Sequence, residues 1–222
     1  MIQAILFDFD GTIANTVSVL REAVNLTMVQ YGYPLHTDED ILRFINNGAR
    51  ELIRRAMPVD LQEDQELVDR VLVDYSGYYR QVYHHTEHPY DGVAELIERL
   101  HNEGFRIGVL SNKQDDILRK LSARVLLPGS YDAAQGVETG KPTKPHPYLA
   151  EKLAADLGVS PGNCVMIGDS DVDLYTAQNA GMLHVGVTWG FRDEDFLREH
   201  GVTRFAHDPD ELLQILYQLN EN

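Results

Sequence analysis

The first apolar run of this chain ends on two carboxylates. Ile5-Leu6-Phe7 leads straight into Asp8-Phe9-Asp10-Gly11-Thr12. A strand alternates its faces, and the turn that Gly11 allows can fold both acids toward one point. Two like charges held together in a crevice at a strand end are costly unless a cation neutralises them. The stretch is therefore a candidate Mg2+ site with a nucleophilic carboxylate. Asp, Gly and Thr are also turn formers, so the plain alternative is a polar strand-to-helix turn.

Beyond this point strands and helices alternate. Strand candidates are 2–7, 106–110, 131–134, 163–167, 184–187 and 203–206. Val93, Leu96, Ile97 and Leu100 follow the spacing of one helix face, as do Leu212, Leu213, Leu216 and Leu219. The last helix has Asp208 as N-cap, Pro209 at the first position and Glu211 at the third. Such alternation predicts an α/β fold with a doubly wound, mostly parallel sheet. Ligands of these sheets bind beyond the carboxyl ends of the strands, where Asp8, Ser111 and Asp169 all fall. Between the first strand and the rest the pattern changes. Helices are predicted at 16–31, 37–45, 48–57 and 63–85, with no strand among them. Residues 15–88 thus read as an inserted helical subdomain, and 1–14 with 89–222 as the main body. Hinges are expected near 13–16 and 86–90.

Asp8-Phe9-Asp10-Gly11-Thr12 resembles motif I of the haloacid dehalogenase (HAD) superfamily of phosphohydrolases. The rest of that family's pattern follows in order. Arg106-Ile107-Gly108-Val109-Leu110 runs into Ser111-Asn112-Lys113. Lys144-Pro145-His146-Pro147 opens a helical segment. Cys164-Val165-Met166-Ile167 ends in Gly168-Asp169-Ser170-Asp171-Val172-Asp173. Singly, the S-N-K and K-P-x-P stretches are weak signals; together with D-x-D-G-T and G-D-x-x-x-D they are strong. The resemblance covers about 200 residues and implies a Rossmann-like core, with residues 15–88 as a helical cap of the type called C1. A lid over a phosphoryl-transfer site excludes water and reads the leaving group.

The resemblance implies roles residue by residue. Asp8 is the nucleophile that forms an aspartyl-phosphate. Asp10 protonates the leaving group and later activates water. Ser111 and Lys144 neutralise the transferring phosphoryl. The Mg2+ ligands are the Asp8 carboxylate, the Asp10 backbone carbonyl and Asp169, with Asp173 acting behind them or through a water. Lys141, in Gly140-Lys141-Pro142, is the other lysine candidate. Lys144 fits the family's spacing better, through its Pro-x-Pro tail and the helix carrying Leu149, Leu153 and Leu157. Thr12 contacts phosphate or caps the turn, and Asn112 and Lys113 point the same way. Asn15 stands where many family members have Asp; Asn still caps a helix well.

Within the family the chain is most similar to the phosphoglycolate phosphatase group. Phe44-Ile45-Asn46-Asn47-Gly48-Ala49-Arg50 resembles that group's cap loop, His88-Pro89-Tyr90-Asp91-Gly92-Val93 its return from the cap, and Thr188-Trp189-Gly190-Phe191 its T-W-G-aromatic turn. Asn47, Gly48 and Arg50 are the substrate-binding candidates there, and Arg50 can pair a substrate carboxylate bidentately. The expected activity is Mg2+-dependent hydrolysis of a small phosphomonoester, 2-phosphoglycolate first. Alternatives on the same fold are an inorganic pyrophosphatase or a β-phosphoglucomutase-like phosphotransferase. Dehalogenation is disfavoured because it has no use for the acid at Asp10. A phosphorylated signalling domain would not need the cap, and a catalytically dead binding module would not keep all four motifs.

Composition narrows the partners. The formal net charge of −16 repels nucleic acid and anionic membranes. A phosphate site must then be locally positive, built from metal, lysines and backbone N–H groups. No apolar run is long enough to span a membrane, and the chain enters a strand at once with no secretory leader. The single cysteine, Cys164, reads as a buried inert thiol. A cytoplasmic monomer or homodimer acting on a small phosphorylated metabolite is expected. His84, His85 and His88 with Glu87 invite a zinc reading, but polar hinge histidines are favoured. Tyr75, Tyr78, Tyr79 and Tyr83 are expected to pack within the cap.

Overall fold

The computed structural model describes residues 1–45, 48–86 and 88–221. The chain divides into two compact units, Met1–Asn15 with His88–Asn222, and Thr16–Glu87.

The first unit is built on a six-stranded parallel sheet. Its strands are β1 (Ala4–Asp8), β2 (Arg106–Gln114), β3 (Ala133–Val137), β4 (Cys164–Gly168), β5 (Leu183–Val187) and β6 (Phe205–Ala206), in the order β3-β2-β1-β4-β5-β6. Both faces of a parallel sheet are covered, so its central strands are unbroken apolar runs. β1 and β4 are buried along their whole length. The chain works outward from β1 to β3, then returns to β4 on the other side of β1. That return makes the carboxyl ends of β1 and β4 the switch point where such sheets bind ligands. Asp8 ends β1, and Asp169 directly follows β4.

Among the described residues six helices belong to this unit when the elements are numbered along the chain. α5 (Val93–Asn102), α6 (Asp115–Val125), α7 (Tyr148–Asp156), α8 (Asp171–Ala180), α9 (Glu194–Glu199) and α10 (Pro209–Glu221) follow the four helices of the insertion. One core joins Leu149 and Leu153 of α7 and Ala177 of α8 to Leu6, Leu110 and Met166 of the sheet. α10 starts as its cap residues require, with Asp208 accepting from the Glu211 amide at 2.8 Å.

β2 departs from the expected span. It does not stop at Leu110 but runs on to Gln114, so Ser111, Asn112 and Lys113 lie within the strand. Pairing with β1 ends at Asp8 opposite Leu110, and the remainder continues on β3 through a register shift between Leu110 and Gln114. The alternation of a strand then puts Ser111 and Lys113 on one face.

The second unit is helical: α1 (Val17–Tyr31), α2 (Asp38–Phe44), α3 (Gly48–Ala56) and α4 (Gln65–Val82). Val17, Leu20, Val24 and Met28 of α1 are buried, as are Val68, Val71, Tyr75, Tyr79 and Val82 of α4. These are single helix faces turned to a common core. Tyr75 and Tyr79 stack with ring centroids 5.9 Å apart. Asn15 precedes α1 but does not cap it: Thr16 holds the N-cap position. No helix among the described residues is long and apolar enough to cross a membrane.

Candidate active site

The turn after β1 folds back on itself, with the amide of Gly11 bonded to the Ala14 carbonyl at 2.9 Å. Gly11 has φ +81°, and any Cβ there would run into the Asp169 carboxylate, 2.7 Å from its carbon. Glycine is thus required twice, by conformation and by space. Across the switch point, α8 begins immediately after Asp169 and Ser170, and its first turn carries Asp173.

These segments bring Asp8, Asp169 and Asp173 together with carboxylate oxygens within 4.8 Å of one another. Lys144 joins them. Its Nζ donates to Asp8 Oδ1 and to Asp173 Oδ1, each at 2.7 Å. All four side chains are buried, with Asp173 wholly so. The second Asp173 oxygen accepts from the Ser170 amide at 3.2 Å and its hydroxyl at 2.6 Å. Asp173 is therefore the group that fastens Lys144 to α8. Lys141 stands elsewhere, exposed, with its ammonium 5.5 Å from the centre of the Tyr148 ring.

Among the described residues three buried carboxylates face one ammonium, and the imbalance shifts Asp8 and Asp169. Burial, then Asp173, pushes Asp8 well above the usual carboxylate range, against the pull of Lys144. Burial and Asp173 push Asp169 up to about 7. Burial alone would lower Lys144, but Asp173 and Asp8 more than reverse this and keep it charged. A compact, buried, all-oxygen donor set with surplus negative charge fits a hard divalent cation such as Mg2+.

Asp10 points to the other side of the turn. Its Oδ2 accepts from Ser111 Oγ at 3.2 Å and its Oδ1 from Lys113 Nζ at 2.7 Å. The Lys113 amide donates to Ser111 Oγ at 3.1 Å, locking the trio. The Asp10 carboxylate lies outside the three-carboxylate group, so a ligand role would fall to its main-chain carbonyl. Asn112 is turned onto the loop that carries Lys144. Its amide nitrogen donates to the Lys144 carbonyl at 3.0 Å, and its oxygen accepts from the Lys144 amide at 2.7 Å. Thr12 is fully buried and donates to Asp169 Oδ1 at 3.3 Å.

Of the candidates in the helical unit, Gly48 and Arg50 are described. Gly48 begins α3 with φ +80°. Arg50 reaches Asp69 at 2.8 Å and Gln65 at 2.7 Å, both on α4. Asn47 lies outside the described residues. His85 pairs with Glu22 at 2.8 Å, and among the described residues no histidine joins a group with metal-ligand spacing.

Some contacts have no counterpart in the motif reading. Phe191 donates its amide to Asp169 Oδ2 at 2.7 Å, and Trp189 Nε1 donates to the Thr12 carbonyl at 3.1 Å. Ser170 was readable as a cap, since S-x-x-D opens a helix there. Tyr90 is held by its amide on the Ile13 carbonyl at 2.8 Å. Burial, then Asp169 and Asp10, raises its phenol above the ordinary value. Cys164 is a buried thiol whose pKa burial lifts to about 11.

His184 on β5 is buried, and its Nε2 has no hydrogen-bond partner among the described residues. Burial pushes its pKa down to about 4, against Asp173 and with Lys144. In the unfolded chain a histidine titrates near 6.5. Between these values the unfolded state binds a proton that the folded state does not. The stability is therefore complete above about pH 6.5 and lost as pH falls toward 4. Between pH 7 and pH 4 the wild type should lose about 3 kcal/mol more, by urea unfolding, than His184→Leu. Equal losses in the two proteins would contradict the assignment.

The chain is similar to known proteins over most of its length. A family model described as haloacid dehalogenase-like hydrolase matches residues 5–187. The phosphoglycolate phosphatase of Aliivibrio fischeri is 31% identical over 194 residues, covering 86% of each chain. The pyrophosphatase PpaX of Anoxybacillus flavithermus is 28% identical over 218 residues, covering 98% of this chain and 95% of its own. A crystal structure from Lactobacillus delbrueckii subsp. bulgaricus, named provisionally as a phosphoglycolate phosphatase, superposes with TM-score 0.87 at 32% identity. It covers 95% of this chain and 96% of its own.

Proposed function

The chain belongs to the haloacid dehalogenase-like hydrolase family, and from that premise we propose that it is a Mg2+-dependent phosphatase of small phosphomonoesters, with 2-phosphoglycolate as its substrate. The observation that carries the proposal is the pairing of two acids with different surroundings on one turn. Asp8 sits among buried carboxylates beside Lys144, while Asp10, two residues on, is held apart by Ser111 and Lys113. One serves as nucleophile and the other as proton carrier.

In the first step a carboxylate oxygen of Asp8 forms a bond to phosphorus, and the bond from phosphorus to the leaving oxygen breaks. Asp10 gives that oxygen its proton. In the second step water attacks the aspartyl-phosphate, Asp10 takes the water's proton, and phosphate departs with Asp8 restored. Lys144 offsets charge on the phosphoryl oxygens, and Ser111, turning its hydroxyl from Asp10, donates a hydrogen bond to them. Asp8, Asp169 and the Asp10 carbonyl would hold Mg2+, with Asp173 behind them fixing Lys144. When bound, the ion supplies positive charge to the phosphoryl group and to its carboxylate neighbours.

In this proposal residues 1–14 and 89–222 carry the chemistry and residues 15–88 select the substrate, with Asn47, Gly48 and Arg50 as the selecting candidates. The choice of 2-phosphoglycolate is supported by the name of the relative from A. fischeri. A second reading, pyrophosphate hydrolysis, is supported by the PpaX relative. The test is phosphate release from 2-phosphoglycolate, pyrophosphate and glucose 1-phosphate, with Mg2+ and then with EDTA. We expect 2-phosphoglycolate to be preferred by kcat/KM and all release to stop in EDTA. Preference for pyrophosphate would replace the substrate, and undiminished release in EDTA would remove the metal.

A further inference from the structure

The loop between β5 and α9, residues 188–192, has no role in the chemistry above, yet it touches the site at three points. The Phe191 amide donates to Asp169 Oδ2 at 2.7 Å. Trp189 reaches the carbonyl of Thr12 with its indole nitrogen at 3.1 Å. Gly190 lies so close that a Cβ there would meet Asp169 Oδ2 at 2.6 Å and fall within the contact radius of Asp169 Cβ and the Gly11 carbonyl oxygen. The Thr12 hydroxyl in turn donates to the other Asp169 oxygen at 3.3 Å. Each Asp169 oxygen therefore receives a donor from one of these two segments, and the indole ties the segments together.

We propose that this loop is a positioning element for the cation site, with Gly190 and Trp189 as its determining residues. A buried carboxylate crowded by Asp173 is driven to rotate away from it. The Phe191 N–H opposes this, because it fixes the plane of the carboxylate. A main-chain donor reaches that oxygen because residue 190 has no side chain. Trp189 holds the Gly11-Thr12 turn against the same carboxylate, so β1 and β4 present their ligands at one fixed separation. Outer partners that orient metal ligands typically contribute about 10–100-fold to affinity. The proposal rests on the metal-dependent reading given above.

The test is binding of Mn2+, followed by electron paramagnetic resonance, to the full chain and to Gly190→Ala and Trp189→Phe. Circular dichroism reports whether each variant is folded. Trp189 is the only tryptophan, so its fluorescence in the wild type and in Gly190→Ala gives a second readout on metal addition. Gly190→Ala should bind Mn2+ about 10–100-fold more weakly, and Trp189→Phe should weaken it several-fold. If Gly190→Ala does not fold, Trp189→Phe decides. Wild-type affinity in the folded variants would overturn the positioning role and leave the metal-dependent reading intact. A wild type that binds no Mn2+ would overturn both.

Discussion

Asp8→Asn is expected to lower kcat by about 10^5-fold, the scale on which removal of a catalytic nucleophile is felt, and yet to make the metal-free protein more stable. The two effects have one cause. Asp8 is buried beside Asp173 and Asp169, and its pKa is raised because the ionised form is unfavourable there. A carboxyl whose pKa is raised by folding contributes stability at low pH that is lost as pH rises through the folded value. At pH 8 in EDTA the wild type carries that penalty and the Asn variant does not. Asn can still accept from Lys144, whose second bond, to Asp173, is untouched. Thermal melts in EDTA should show the variant above the wild type, by about 2–4 °C for each kcal/mol of relief. Retained turnover would remove Asp8 as nucleophile. A lower melting temperature would show that the Asp8–Lys144 pair outweighs the repulsion among the acids.

Lys144→Met is expected to fail in the opposite direction. It removes the ammonium bonded to Asp8 and Asp173 and leaves three buried carboxylates facing one another. Breaking a buried pair from one side costs about 3–5 kcal/mol, to be read by urea unfolding in EDTA. Mg2+ should restore part of that stability, since a divalent ion supplies charge to the same oxygens. It should not restore turnover, because the phosphoryl group still lacks the lysine. Lys141→Met should leave stability and turnover near wild type, since its ammonium lies over the Tyr148 ring away from the cluster. Stability unchanged in Lys144→Met would contradict the charge balance described for the site.

Much of the fold was legible because the central strands are buried on both faces. Ile5-Leu6-Phe7 and Val165-Met166-Ile167 can be read as strands from apolarity alone, and both end in acid at the switch point of the sheet. The helical insertion was legible from its periodic faces. The contacts that orient the site were not. Lys113 meets Asp10 across 103 residues, Thr12 meets Asp169 across 157, and Asn112 meets the Lys144 main chain across 32. Each depends on strands that are neighbours only in the sheet. The extension of β2 past Leu110 was hidden for a similar reason, because it is paired on β3 alone. Gly190 was legible only as part of the Thr188-Trp189-Gly190-Phe191 turn: its need for a missing side chain comes from Asp169, on another strand end.

The most direct measurement is to find where the phosphoryl group goes. Wild-type protein mixed with 32P-labelled 2-phosphoglycolate and Mg2+, quenched in acid within one turnover and digested, should carry the label on the peptide containing Asp8. Hydroxylamine, which cleaves acyl phosphates, should release it, and Asp8→Asn should carry none. Phosphate released with no label on the enzyme at any quench time, or label found on a residue other than Asp8, would contradict the account.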